Sequence, residues 1–308
     1  MNESPPRPAP LLPPLLPSLS AIADNYDVIL CDVWGVIHNG VASFAKATDA
    51  LTRFRRQGGK VVLITNAPRP SEKVRAFLDQ LAVSRESYDQ IVSSGDVTVS
   101  LILERGGQAL AHIGPPQDRS LFDVAERQSC RKLRFAGLAD ADFVVCTGLD
   151  DADREIPTDY RPRLDIMRRR ALTMICANPD IVVEVGDRLV YCAGALAEAY
   201  QAIGGPVIQA GKSYPPIYHR ALTEAAQALG VAPAALDKKR VLAIGDAMHT
   251  DIKGAQAMAL ATLFVTSGIH RAQLHGGAET PQRAAAAFHQ FFEDTGFAPS
   301  FATAELAW

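Results

Sequence analysis

No apolar run in this 308-residue chain approaches the roughly 18 uninterrupted residues that a membrane helix needs. No charge bias stands out either: 31 Lys and Arg against 34 Asp and Glu give a formal net charge of -3, mixed along the chain. That removes the electrostatic case for a nucleic-acid or anionic-membrane partner. Cysteine is sparse and unpatterned. Cys31, Cys130, Cys146, Cys176 and Cys192 are odd in number, scattered and mostly set in apolar runs, so they read as buried reduced thiols rather than a disulfide framework or a metal site. This points to a reducing, cytoplasmic setting. The opening stretch MNESPPRPAPLLPPLLPSLS has apolar content, but prolines at 5, 6, 8, 10, 13, 14 and 17 interrupt it and no basic cluster precedes it, which argues against a signal peptide. Residues 1–19 therefore read as a proline-rich arm, loose or packed down.

What the chain does have is apolar content, 48% of its residues, enough for a large core and for two domains. Short β-branched runs alternate with longer Ala/Leu-rich helical segments. DVILCD (27–32) precedes a helix near 43–57, KVVLITN (60–66) precedes SEKVRAFLDQLA (71–82), and QIVSSG (90–95) precedes a helix at about 96–105. Three strand-helix units in succession predict a parallel sheet with helices on both faces. The pattern resumes after 205 with PVIQAG (206–211), RVLAIGD (240–246) and ATLFVTSG (261–268), each followed by a helix, the last near 281–293. The expected organisation is α/β, with a discontinuous core over 20–106 and 206–308 and a second, inserted α/β domain over 107–205.

In an open parallel sheet the reactive groups collect beyond the carboxyl ends of the strands. Asp32 closes the first strand, Thr65 and Asn66 the second, Lys212 follows the run at 206–210, and Asp246 ends another. Carboxylates such as Asp32 and Asp246 suit a hard divalent cation, and a lysine and a hydroxyl beside it would orient phosphate oxygens. Backbone amides in DVWGV and TNA would add an anion-binding concavity. Together the groups suit phosphoryl transfer. Taken singly, each residue has a plainer reading: a strand-end Asp as a turn or cap residue, Lys212 as a solvated cation, Asp251 in the first turn of a helix.

DVWGV, ITN, GKSYPPIY and IGDAMHTDI, in that order, resemble the four motifs of the haloacid dehalogenase-like hydrolase superfamily. The large insert between the second and third motifs, with ANPD (177–180) and CAGALAEAY (192–200), resembles its class IIA branch of nitrophenyl-phosphate, nucleotide, phosphoglycolate and pyridoxal-phosphate phosphatases. The resemblance spans about 20–270. It implies a Rossmann-like core with a cap domain and Mg²⁺-dependent hydrolysis of a small phosphorylated metabolite. Asp32 would be the nucleophile that forms an aspartyl-phosphate. Thr65, Asn66 and the Gly35 amide would bind the phosphoryl oxygens, and Lys212 would neutralise nucleophile and phosphate. Asp246, with Asp32 and the Trp34 backbone carbonyl, would ligate the metal, and Asp251 would orient Lys212 or an ion-bound water. Caps of this branch often pair two chains, which makes a homodimer the expectation.

The chain departs from that family at Trp34, where its phosphatases carry the aspartate that protonates the leaving group. An indole N–H donates a hydrogen bond but cannot shuttle a proton. Three readings follow: a slow or leaving-group-selective phosphatase, a hydrolase of another bond such as a dehalogenase, or a catalytically quiet binder of a phosphorylated ligand or partner. His38 and His249 are candidates to replace the missing acid, each with a structural role as the alternative. In the cap, Asn178, Asp180, Glu184 and Arg188 are the candidate ligand-facing polar groups, with surface exposure as the plainer reading for each. The basic run MRRRA (167–171) reads as a solvated helix face.

Overall fold

The computed structural model describes residues 12–185, 188–275 and 281–308. Residues 1–11 of the N-terminal arm lie outside the described residues. In chain order the strands are β1 (Val28–Asp32), β2 (Lys60–Thr65), β3 (Gln90–Ser93), β4 (Ala109–Ile113), β5 (Arg134–Phe135), β6 (Phe143–Cys146), β7 (Thr173–Cys176), β8 (Val182–Val185), β9 (Arg188–Tyr191), β10 (Val207–Gln209), β11 (Val241–Gly245), β12 (Ala261–Val265) and β13 (Phe301–Thr303). They form a six-stranded sheet in the order β13-β12-β11-β1-β2-β3, a five-stranded sheet in the order β10-β7-β6-β4-β5, and a hairpin of β8 and β9.

Every pairing in the two larger sheets is parallel. The sequence accounts for this. β1 and β11 are buried at all five positions, as strands covered on both faces must be, and they read as continuous apolar runs rather than alternating ones. On one face of the first sheet the helix Ala45–Arg56 turns Ala47, Ala50, Leu51 and Phe54 inward at helical spacing. On the other face Ile217, Tyr218, Ala221, Leu222 and Ala225 of the helix Pro215–Leu229 do the same. The helix Ser94–Glu104 starts on a capping box between Ser93 and Asp96 and sends Val97 to the first sheet but Val99 and Ile102 to the second. It therefore ties the two layers together.

Two placements differ from the sequence reading. The run at 206–211, expected to reopen the core, forms β10 and pairs with β7 of the second sheet, at Val207 with Met174 and Ile208 with Ile175. The chain re-enters the first sheet only at β11. The second difference lies at the C-terminus, where β13 adds an unanticipated edge strand beside β12. The arm covers that edge: Leu16 N–H donates to Ala302 O at 2.7 Å and Ala302 N–H donates to Pro14 O at 3.0 Å. Proline and a short pairing at a sheet edge block further strand addition. Cys31, Cys146, Cys176 and Cys192 are buried free thiols as expected, whereas Cys130 is exposed, at the left-handed C-terminus of the helix Ser120–Ser129.

Candidate active site

The carboxyl ends of β1, β2 and β11 converge with the loop after β10. Asp32, the last residue of β1, is 6% exposed and accepts from Val33 N–H at 2.7 Å. Lys212, 3% exposed, reaches it from the loop after β10: its ammonium lies 2.5 Å from Asp32 Oδ1 and 2.6 Å from Asp251 Oδ1. Asp251 leaves no oxygen idle, because its Oδ2 accepts from Ala247 N–H at 3.1 Å. Asp246, just past β11, accepts from Ile269 N–H at 2.8 Å. Oxygens of Asp32, Asp246 and Asp251 all fall within 4.8 Å of one another.

Glycine makes this crowding feasible. Gly35 has φ +76°, and a Cβ there would stand 2.0 Å from Asp246 Oδ2; a Cβ on Gly268 would meet the same oxygen at the same distance. The loop after β1 and the loop after β12 thus close on Asp246 from two sides.

Four carboxylates, counting Asp180 from the second sheet's side, surround one ammonium. Burial, and then the charge of Asp251, push the Asp32 carboxyl well above the usual carboxylate range. Burial and Asp251 likewise raise Asp246, to about 7. Burial alone would discharge Lys212, but Asp251 and Asp32 hold its pKa well above that of an ordinary lysine. Acids and base shift upward together, which is the signature of a site short of positive charge.

Asn66 links the layers. Its Oδ1 accepts from Lys212 N–H at 2.7 Å, and its Nδ2 donates to Asp180 Oδ1 at 2.8 Å. Thr65 is buried at the end of β2, its Oγ1 accepting from Ala67 N–H at 3.2 Å. Asn178 is also buried, but it turns its Oδ1 to Asp180 N–H at 3.1 Å and shapes the loop rather than the cavity. Arg188 lies away from the site, exposed and paired with Asp153 at 3.0 Å. The Glu184 side chain lies outside the described residues.

These groups open into a cavity of about 600 Å³, lined at its reactive part by Asp32, Gly35, Thr65, Asn66, Asp180, Lys212 and Asp246. That size suits a small metabolite. Trp34 forms part of the wall, with Phe44, Val182, Val183 and Ile269. The indole is held in place. Its ring meets His38 edge-on at 4.8 Å, and Gly40, at φ +86°, packs so closely that a Cβ would stand 2.7 Å from Cζ2. His38 itself is 1% exposed, outside the cavity lining, and accepts from Gly40 N–H on Nδ1 at 2.9 Å. Burial lowers its pKa to about 4, so the ring is neutral near pH 7 and serves to hold the loop. His249 is exposed beside Phe297 and is likewise absent from the lining. The histidine that does line the cavity is His275, four residues after Arg271 on the short helix Arg271–His275. Sequence reading missed both residues; their place just beyond a strand's carboxyl end was the available signal.

The comparisons agree with this architecture. Residues 29–127 match the family model described as haloacid dehalogenase-like hydrolase, and residues 209–291 one described as HAD-hydrolase-like. A solved hydrolase of the haloacid dehalogenase-like family from Brucella suis 1330 is 40% identical, with a TM-score of 0.81, over 95% of this chain and 100% of that one. The chain belongs to the haloacid dehalogenase-like family. A curated relative of this family member is the D-glycerol 3-phosphate phosphatase of Mycobacterium tuberculosis, 27% identical over 82% of this chain and 67% of that protein. The 4-nitrophenylphosphatase of Thermotoga maritima, at 20% identity, shares the fold with a TM-score of 0.65 over 92% of this chain and 96% of its own. The chain is accordingly a hydrolase of that family in its fold, with the second sheet inserted between β3 and the helix Pro215–Leu229. Among the described residues, no helix is long and apolar enough to cross a membrane.

Proposed function

We propose that this protein hydrolyses a small phosphate monoester in two steps through an aspartyl-phosphate on Asp32, with Mg²⁺ bound beside it. The observation that carries the reading is the buried Asp32–Lys212–Asp251 chain of contacts at 2.5 and 2.6 Å, opening into a cavity sized for a metabolite. One Asp32 oxygen is engaged by Lys212 and by Val33 N–H, which leaves the other for attack. In the first step that oxygen bonds to phosphorus while the bond to the leaving oxygen breaks; in the second, water displaces Asp32 and frees inorganic phosphate. Lys212 stabilises charge on the transferring group, and the Thr65 hydroxyl is suited to hold its oxygens; the Gly35 N–H, expected from sequence to join it, instead donates to His38 O at 2.8 Å.

The donor set fits a hard divalent cation. Three carboxylates have oxygens within 4.8 Å of one another, and the cluster holds more negative charge than Lys212 balances. Asp32, Asp246 and the Trp34 carbonyl would hold the ion, with Asp251 close by. When bound, Mg²⁺ would neutralise the phosphoryl oxygens. The domain division of arm, core and cap is part of the same proposal, with the cap's return placed after β10.

Trp34 supplies no proton, and the neutral, enclosed His38 does not replace the missing acid. The activity expected is therefore selective for esters whose leaving group departs readily as an anion. The test is phosphate release from nitrophenyl phosphate and a panel of alkyl phosphates, with and without Mg²⁺, beside Asp32→Asn. Metal-dependent turnover that favours nitrophenyl phosphate and vanishes in the variant is expected. Silence of the folded wild-type protein across the panel would instead favour a binding role, and halide release without Mg²⁺ would favour a dehalogenase.

A further inference from the structure

Resting on the phosphatase reading, we infer that Arg271 and His275 form a second anion-recognition site in the same cavity, so that the substrate carries a carboxylate or other anionic group at the end remote from its phosphate.

The placement follows from the fold. Asp32 ends β1, Asp246 follows β11, and the Arg271–His275 helix follows β12, which lies two strands from β1. At the usual strand spacing this sets the helix roughly 10 Å along the sheet edge from the nucleophile. The helix is held just before its start and through its fourth residue. Ile269 N–H grips Asp246 at 2.8 Å, and Leu274, 3% exposed, is buried among Met248, Ile252, Phe264 and Phe292. With Leu274 turned inward, Arg271, Ala272 and His275 are left facing the cavity, and residues four apart share one helix face. The His275 ring is fixed by a 3.0 Å hydrogen bond between Nε2 and Thr266 Oγ1.

The charges argue for a ligand there. Lys212 is committed to Asp32 and Asp251, so it serves the reacting phosphate. Arg271 has no carboxylate partner among the described residues, although it lines a cavity rich in aspartate. A guanidinium in that position, beside an imidazole, matches a planar carboxylate or a second phosphate. The rest of the lining mixes apolar Trp34, Phe44, Val182, Val183 and Ile269 with polar Asn39, Thr250 and Ser267. The substrate class this describes is a phosphate ester with an anionic tail.

A matched pair tests it: 4-(2-carboxyethyl)phenyl phosphate and its uncharged primary amide, with homologues one methylene shorter and longer. Their phenols leave equally well, so the ratio of their kcat/KM values reports the tail alone. The wild-type enzyme is expected to prefer the carboxylate by about tenfold at the best tether length, chiefly through KM, and Arg271→Gln to abolish that preference. Arg271→Lys should keep part of it. A wild-type ratio near one at every length, or a ratio unchanged in Arg271→Gln, overturns the inference and leaves the phosphatase reading standing. Calorimetric binding of the same pair to Asp32→Asn separates the two ideas further. Preference for the carboxylate without wild-type turnover would keep the anion site and sink the phosphatase reading; absence of preference in binding and turnover alike would sink the anion site.

Discussion

Protonating His38 should release the loop that follows Asp32, and the cost follows from its burial. The folded pKa of about 4 lies below the ordinary value of 6.5, so the unfolded chain binds more protons than the folded one between those values. Stability is therefore full above about pH 6.5, falls as pH drops through that window, and levels off below about 4. Between pH 7 and pH 5 the loss attributable to this ring is about 2 kcal/mol. His112, also lowered to about 4 by burial, adds its own loss, so the wild-type slope alone does not isolate His38. Comparison with His38→Gln does, because the His112 contribution cancels. At pH 7 the variant should be the less stable protein, having lost the contacts to Trp34, Phe77 and Gly40 N–H. By pH 5 the gap should have narrowed by about 2 kcal/mol, measured by urea unfolding at a series of pH values. A gap that stays constant over that range would refute the picture of a neutral, enclosed imidazole holding Trp34.

Replacing Trp34 with Asp should raise kcat/KM toward alkyl phosphates by about 10² to 10⁴ while changing nitrophenyl phosphate much less, as read from initial rates; equal gains on both would mean that acid catalysis is not what Trp34 lacks. Lys212→Met leaves Asp32 and Asp251 facing each other without their shared cation and should cost about 3–5 kcal/mol in urea unfolding near pH 7. A stability equal to wild type would contradict the buried ion cluster. Native protein treated with a thiol-reactive disulfide should show one fast thiol, Cys130, and five after denaturation. Two or more fast thiols would show that the buried cysteines are reachable.

Much of the scaffold was legible because its signals are local. Asp32, Thr65 and Asp246 could be placed at strand ends from runs of buried β-branched residues, and the helices from their apolar spacing. β10 was legible as a strand but not as a member of the second sheet. Both sheets accept short, apolar, parallel strands, so Val207–Gln209 carries no local mark of its partner. β13 is three residues long and owes its existence to pairing with Leu263, Phe264 and Val265, which no window around it records. The site shows the same division. The four motifs were readable one at a time, whereas the Asn66 contacts to Lys212 and Asp180 span 146 and 114 residues and arise only from the fold. His38 was ambiguous in sequence because a histidine two residues from a glycine gives no clue to its exposure.

Trp34 and Arg271 bear on one energetic question. On the proposed aspartyl-phosphate route, a first step without a proton donor for the leaving group would forfeit a contribution typically worth about 10² to 10⁴ in rate, or about 3 to 5 kcal/mol. An acidic leaving group offsets part of that loss through its own chemistry. Binding energy from the remote end of the substrate can offset another part, but only where it is expressed more strongly in the transition state than in the ground state. A rigid wall and a pinned helix favour that outcome: Trp34 is locked by His38 and Gly40, and Leu274 anchors the helix bearing Arg271. A tail held by Arg271 would fix the ester's position relative to Asp32, turning recognition into alignment for in-line attack. The replacement of aspartate by tryptophan is thus compatible with catalysis on a narrower set of esters, those that combine a ready leaving group with a tail this cavity can grip.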